Sequence, residues 1–438
     1  MNMFRGSRAS ICAVLCAVLL SGCTKNSEED AMMKRVLETS PGTDVPVVFP
    51  SALVDQNGYR TGSDKIVIFR TAQEGDTFEV RDTKDDTVVY TGSIRKRDED
   101  IRYGQFGSFQ TTGTYYIYTE TTGSSYAFAI DDTVNARLID RALDNLSAFR
   151  TAAKDAGDGT GNEADIQTRA GILCNLLLAY EINPESYDDN GTRNESGNGI
   201  PDLLDEARIQ AEALVTAIPA NREEAAEAAC ALAHFSCVYA AFDEGQSAAC
   251  LTAAKNAWDN AASYGSLTGS LDAFPAAAAL YRMTGEKTYE NVLSATFRRE
   301  DFTGQFSEDE RVFYGSVLYL FSKQPVNVAV RNTISEALSE DAKTIAKQAE
   351  EAVWFISEQD TERILSDMKR LSVANYLNYN HGYSGVLENH IHYLSGRNPQ
   401  AVNYLGTETD RTYLDSGEAG IPENAEQLAG LLLLLGAS

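Results

Sequence analysis

From Asn135 onward the chain repeats one kind of segment. Apolar residues return every three or four positions, in Ala-rich runs broken by short polar turns, and no convincing strand interrupts them. About twelve helices are expected, over 135–150, 165–182, 201–217, 223–241, 247–263, 272–284, 287–297, 308–323, 340–357, 360–378, 380–396 and 423–436. A helix-only domain of this length must bury its apolar stripes against one another. Helix pairs can close into a ring or stack as an open array, and the count alone does not choose.

Residues 47–132 read differently. Val67 and Phe69, Phe78 and Val80, Val88 to Tyr90, Tyr115 to Tyr118, and Tyr126, Phe128 and Ile130 form short β-favouring runs between Gly, Asp and Thr turns. That pattern predicts an all-β sandwich. Ahead of it, Arg5 and Arg8 precede an apolar run from Ile11 to Leu20 and then Ser21-Gly22-Cys23. This is the pattern of a bacterial lipoprotein signal, residues 1–22, with Cys23 as the lipid-bearing residue. Residues 23–46 are polar and acidic and read as a flexible tether. The expected location is the cell surface or outer envelope, anchored by lipid alone.

The formal charge is −27. Nucleic acid and anionic lipid are therefore poor partners, while a neutral polysaccharide is not repelled. Of the seven cysteines, Cys174, Cys230, Cys237 and Cys250 lie beyond the leader. Cys230 and Cys237 stand seven apart on one expected helix, roughly 10.5 Å, too far for a disulfide. No Cys/His metal spacing exists, so buried free thiols are expected.

Two strings carry candidate chemistry. Asp155-Ala156-Gly157-Asp158 puts two carboxylates three apart in an expected glycine turn. It precedes a helix with Ile166, Ala170, Leu173 and Leu177 on one face. Acids this close couple their titrations. The second string, ESGNGIPDLLDEAR at 195–208, reads as an Asn198-Gly199 turn, a proline near a helix start, and early acids.

Together the strings resemble glycoside hydrolase family 9, the inverting cellulases, where the second is nearly identical and the first is typically GGWYDAGD. VDQNGY (54–59), GTYYI (113–117) and SYAFAI (125–130) resemble the immunoglobulin-like domain that precedes many family 9 domains. ALYRMTGEKTY (279–289) and HYLSGRNPQAVNYLGT (392–407) resemble later family segments. The resemblance implies a small immunoglobulin-like sandwich followed, over 135–438, by an all-α (α/α)6 barrel, a six-hairpin fold. It also implies inverting hydrolysis of β-1,4-linked glucans. Asp158 matches the base, Asp155 its supporting carboxylate and Glu423 the acid, while Arg397, Tyr404 and Arg411 match sugar contacts. No cofactor is expected. The resemblance allows structural calcium near Glu223, Glu224 and Asp272, and the favoured reading has no metal.

The chain also departs from the family. Thr151-Ala152-Ala153-Lys154 stands where Gly-Gly-Trp-aromatic is usual, and the stretch from Gly406 to Glu423 holds no His. Only two tryptophans are present, Trp258 and Trp354. Soluble β-glucan or cello-oligosaccharide is therefore expected over crystalline cellulose. The alternative is a catalytically degenerate surface lipoprotein that binds glycans or partners. Among other polar clusters, His381, His390 and His392 read as ordinary polar residues, with the last two pointing apart on a helix. Asp188-Asp189-Asn190-Gly191 reads as a solvated loop, and Arg95 to Asp100 as a solvated turn.

Overall fold

The computed structural model describes residues 50–155, 166–191, 193–306, 308–358, 360–405 and 425–437. The first part is all β. Its strands are β1 (Ala52–Leu53), β2 (Ile66–Phe69), β3 (Thr77–Asp82), β4 (Val88–Lys96), β5 (Arg102–Gln105), β6 (Gly113–Thr119), β7 (Gly123–Ser124) and β8 (Phe128–Ile130). They pair antiparallel in the order β1-β2-β5-β4-β3-β6-β7, with β8 also on β6. The nine-residue β4 links two halves. Val88–Ser93 pairs with β3, and Ile94–Lys96 pairs with β5. Alternation buries Phe78 and Val80 on β3 and Tyr115 and Ile117 on β6, around Phe69, Phe106 and Phe128. The expected sandwich runs missed β1 and β7, each two residues long, and β5, which carries no apolar alternation.

The rest is helical: α1 (Val134–Asp155), α2 (Ile166–Ile182), α3 (Asp202–Thr216), α4 (Arg222–Tyr239), α5 (Glu244–Ser263), α6 (Phe274–Thr284), α7 (Lys287–Thr296), α8 (Phe302–Gln305), α9 (Glu310–Leu320), α10 (Val328–Glu351), α11 (Thr361–Leu377), α12 (His381–Leu394) and α13 (Ala425–Ala437). Two expectations need correction. Asp155 is the last residue of α1, not part of a glycine turn. The helix expected over 340–357 starts at Val328, because the Asn327 side chain accepts from the N–H groups of Ala329 and Val330 and so sets an N-terminus there.

α2, α4, α6 and α9 pack side by side in that order, and α13 packs between α2 and α11. α2 buries Leu173, Leu176, Leu177 and Leu178 completely. Each such leucine contributes about 1.5–3 kcal/mol of transfer free energy. α13 buries Leu431 to Leu435 without a gap, as a helix enclosed on all sides must. One polar network crosses this core. His234 on α4 is fully buried, with Nε2 2.8 Å from Glu181 on α2 and Nδ1 2.6 Å from the Tyr314 hydroxyl on α9. Arg282 on α6 holds the same Glu181 with both guanidinium arms. Burial raises the Glu181 carboxyl, but these hydrogen bonds overcome it and hold the group down to about 2. Beside it the thiols of Cys174 and Cys230 are free. A hydrogen bond with Cys230, acting against burial, brings Cys174 down to about 5.

The sheet is docked on the helices. Gln56 donates its backbone N–H to Ser395 O and its side chain to Ala401 O. Asn57 reaches Ser395 and Asn403. Arg97 donates to the carbonyls of Glu350 and Ala352 and lies over the Phe355 ring, so this end of the expected solvated turn is an interface residue. Leu53, Ile66 and Ile68 bury against Ala401, flanked by Trp354 and Phe355. The VDQNGY string thus packs on the SGRNPQAVN string. Gly396 sits in this contact at φ 118°, and a Cβ there would come within 2.3 Å of the Gln56 side chain.

Candidate active site

Asp158, Glu423 and Arg411 lie outside the described residues, as do Cys23 and the leader. What is described is where their neighbouring helices start. The Asn183 side chain, just past α2, donates to Gly436 O at 2.7 Å, near the end of α13. The Tyr187 hydroxyl donates to Leu432 O at 2.7 Å. The two helices therefore end together and run parallel. Their first residues, Ile166 and Ala425, open at one and the same end of the helical domain.

At the N-terminal ends of α4, α6 and α9, acids and arginines interlock. Asp272 is held by Arg222 at 2.6 Å and by Arg311, which Asp309 also binds at 2.8 Å. Glu223 lies 3.9 Å from Arg311. The Asn221 side chain caps α4 by accepting the Glu224 N–H, and the Glu224 carboxylate accepts the Ala220 N–H. The carboxylates near which the resemblance allowed calcium are thus spent on two guanidinium groups and a helix cap. They do not form an open oxygen cage.

One carboxyl at this end was missed by the sequence reading. Glu227 on α4 accepts from the Gln167 side chain at 3.4 Å through Oε1, while its buried Oε2 has no partner among the described residues. Burial first, then the like charge of Glu223 one turn earlier, push it up to about 7. A carboxyl that keeps its proton near neutrality can donate it to an oxygen. The available signal was the i,i+4 pair Glu223/Glu227 on an Ala-rich helix, a like-charge contact that raises Glu227.

The ESGNGIPDLLDEAR string lies at the other end, running from the loop after α2 into the first turns of α3. Gly197 and Gly199, at φ 85° and 88°, aim their N–H groups at Asp189, which accepts both. Asp202 takes Arg193 at 2.7 Å, the Gly191 N–H at 3.0 Å and the Ser196 hydroxyl. Asn198 donates to Asp205 at 2.9 Å. Ligand oxygens of Asp189, Asp202 and Asp205 lie within 4.8 Å of one another; Arg193 and backbone N–H groups compensate Asp202 and Asp189, while the buried Oδ1 of Asp205 has no hydrogen-bond partner among the described residues. The acidic stretch Asp188 to Gly191 is the solvated loop expected, with Asp188 and Asn190 exposed, and it is ordered by these hydrogen bonds.

Arg397 and Tyr404 fall elsewhere. Arg397 is fully buried beneath the sheet, donating to Asn389 O with its guanidinium near the Phe355 ring. A guanidinium without surface presents nothing to a sugar, so Arg397 is an interface residue. Tyr404 is half-buried against the helical core. His390 and His392 point to different partners. His390 bonds Val386 O and Ser357, and His392 bonds Asp55.

Residues 49–124 match the cellulase N-terminal ig-like domain, and residues 201–413 match glycosyl hydrolase family 9. Just under half of the chain is thus similar to a family 9 glycoside hydrolase domain. That makes it a cellulase-like glycosidase. The family 9 match starts after Asp158 and stops before Glu423. Several solved structures share the fold. A metagenome-derived family 9 endoglucanase aligns at 20% identity and TM-score 0.69, over 81% of this chain and 84% of that one. A single mutant of the thermostable endoglucanase from Alicyclobacillus acidocaldarius aligns at 16% identity and TM-score 0.72, over 89% and 99%. A Bacteroides ovatus family 9 protein aligns at 15% and TM-score 0.69, over 88% and 98%. No functionally curated protein matches the chain.

Proposed function

We propose that this cellulase-like glycosidase hydrolyses β-1,4-linked glucans with inversion at the anomeric carbon. Asp158 removes a proton from the attacking water, Asp155 supports it, and Glu423 protonates the departing glycosidic oxygen. Water adds across the bond, and the new reducing end is α. The reading is carried by the parallel run of α2 and α13. Asp158 lies shortly before the first and Glu423 shortly before the second, so both segments lead to one end of the domain. An inverting pair needs carboxyls roughly 6.5–9.5 Å apart across the sugar. We take the inner helices and their antiparallel partners as the (α/α)6 barrel.

The favoured substrate is a soluble β-glucan or cello-oligosaccharide. Trp258 is buried against Tyr289, and Trp354 packs on Tyr393, so neither offers an open platform to a flat crystalline chain. Tyr404 and Arg411, on the segment leading to Glu423, are the proposed sugar contacts. Cys23 is the proposed lipid anchor, which would hold the enzyme at the cell envelope.

The test is reducing-sugar release from carboxymethylcellulose, mixed-linkage glucan, xyloglucan and cellohexaose, with proton NMR of the first anomer formed. Asp158→Asn and Glu423→Gln should each remove activity by about a hundredfold or more. Activity indifferent to both changes, or absent on every substrate, would overturn the proposal and leave a glycan-binding surface protein. Palmitate-analogue labelling that survives Cys23→Ala would reject the anchor.

A further inference from the structure

A cavity of about 470 Å³ opens where α2, α11 and α13 end, between them and the sheet. Its size falls within the ~300–1,000 Å³ of small-ligand sites. Ile182, Asn183 and Ala437 line it, so it lies at the end opposite the starts of α2 and α13. α2 has 17 residues, which puts the two ends roughly 25 Å apart. The segments that carry Asp158 and Glu423 join α2 and α13 at the opposite ends of those helices.

The lining has a definite character. Tyr376 and Tyr379 stand on the rim at 50% and 74% exposure. Phe321 props the Tyr376 ring edge-on from behind, with centroids 5.4 Å apart. Exposed aromatic rings beside a cavity are costly to leave in water unless something covers them. Deeper in, Asn375 is almost wholly buried and fixed by the Ser384 hydroxyl and the Asn380 N–H. The buried Ser372 hydroxyl has no partner among the described residues. The Arg60 guanidinium of the sheet and the Glu388 carboxylate of α12 form a close ion pair on the same wall. That pair cancels its own charge while still offering donors and an acceptor.

Open aromatic faces, an unspent hydroxyl beside a fixed amide, and self-cancelled charge favour one class of ligand. A sugar chain has apolar C–H faces to lie on a ring and a rim of hydroxyls that both donate and accept. An anion would meet a chain of net charge −27, and a cation would find Glu388 already paired. We infer that this cavity is a second, non-catalytic binding site for a short neutral oligosaccharide. The site holds a glycan at the far end of the enzyme while the reaction proceeds elsewhere.

The choice of cellotetraose as the first probe rests on the β-glucan reading above. Binding is measured by titration calorimetry on the full chain carrying Asp158→Asn, so that hydrolysis does not consume the probe. Xylotetraose and mannotetraose are run beside it. Tyr376→Ala with Tyr379→Ala should weaken one binding component about tenfold or more. Gly62→Leu should do the same by filling the mouth, where a Cβ meets nothing within 4 Å and the fold has room for it. In the Asp158 parent, all three changes should leave turnover of soluble substrate as it was. Isotherms for all three sugars that are the same with and without these changes would overturn the site. That result would leave the hydrolytic proposal standing. Loss of turnover with unchanged binding in the Tyr376/Tyr379 variant would also overturn it, by placing the rings in the reaction.

Discussion

The Asp55 carboxylate and the His392 imidazole meet 2.7 Å apart beneath the sheet, each almost without solvent contact and 337 positions from the other. Asp55 also accepts the N–H groups of Asn57 and Gly58. Burial raises the acid and depresses the imidazole, and the neighbouring Arg397 cation further depresses the ring. We therefore assign His392 the neutral form, donating through Nδ1 to Asp55. Asp55→Ala would strand three donors at once. A loss of about 3 kcal/mol or more in chemical denaturation is expected, and a loss below about 1 kcal/mol would show that the contact is not anchored there. Deleting residues 48–132 removes the whole partner surface of Ala401, Trp354 and Phe355. The shortened chain should melt below the parent; equal melting temperatures would contradict a docked sheet.

His390 sets an acid limit. Burial depresses it to about 4, from an ordinary value near 6.5. The unfolded chain therefore takes up a proton that the folded chain refuses. The stability this supplies is complete above pH 6.5 and is lost as pH falls toward 4, by roughly 3 kcal/mol in all. His392 is depressed too and acts with the same sign. His390→Gln should flatten the pH dependence of unfolding between pH 6.5 and 4. An unchanged slope would place the titration elsewhere.

Glu227 works in the opposite sense. Its folded value of about 7 lies above the ordinary 4.5, so the folded state binds the proton more tightly. Stability from this group is complete below pH 4.5 and is lost as pH rises through 7. Glu227→Gln fixes the uncharged shape. It should match the parent near pH 4 and exceed it at pH 8 by on the order of 1 kcal/mol, discounted because part of the side chain stays near water. A variant less stable than the parent at pH 8 would refute the buried-proton account.

Much of the architecture could be read from local pattern. Tyr115 to Tyr118 and the spacing of Ile166, Ala170, Leu173 and Leu177 carry their periods openly, and the structure makes them strand and helix. The starts of helices were harder. Val328 is 69% exposed and gives no periodic signal, so only the Asn327 cap fixes that end of α10. Least legible were roles that depend on distant partners. Arg397 looks like a sugar contact until the sheet is seen to cover it. The ESGNGIPD string looks like part of the active machinery until its Asp202 and its glycine N–H groups are found closing a turn with Arg193 and Asp189 at the far end. Asp158 and Glu423 remain sequence-based assignments, outside the described residues.

The seating of α13 against α2 also bears on how the protein is made. The hydrogen bond from Tyr187 to Leu432 spans 245 positions, and α13 is only thirteen residues long. During synthesis α2 emerges early, with buried leucines on a helix one of whose main partners does not yet exist. Folding of the helical domain cannot keep pace with elongation. It waits on a late arrival, through a closure of high contact order that is slow by nature. Until that arrival the leucine face of α2 is an aggregation hazard, and a chaperone that shields it would decide the yield of the mature enzyme.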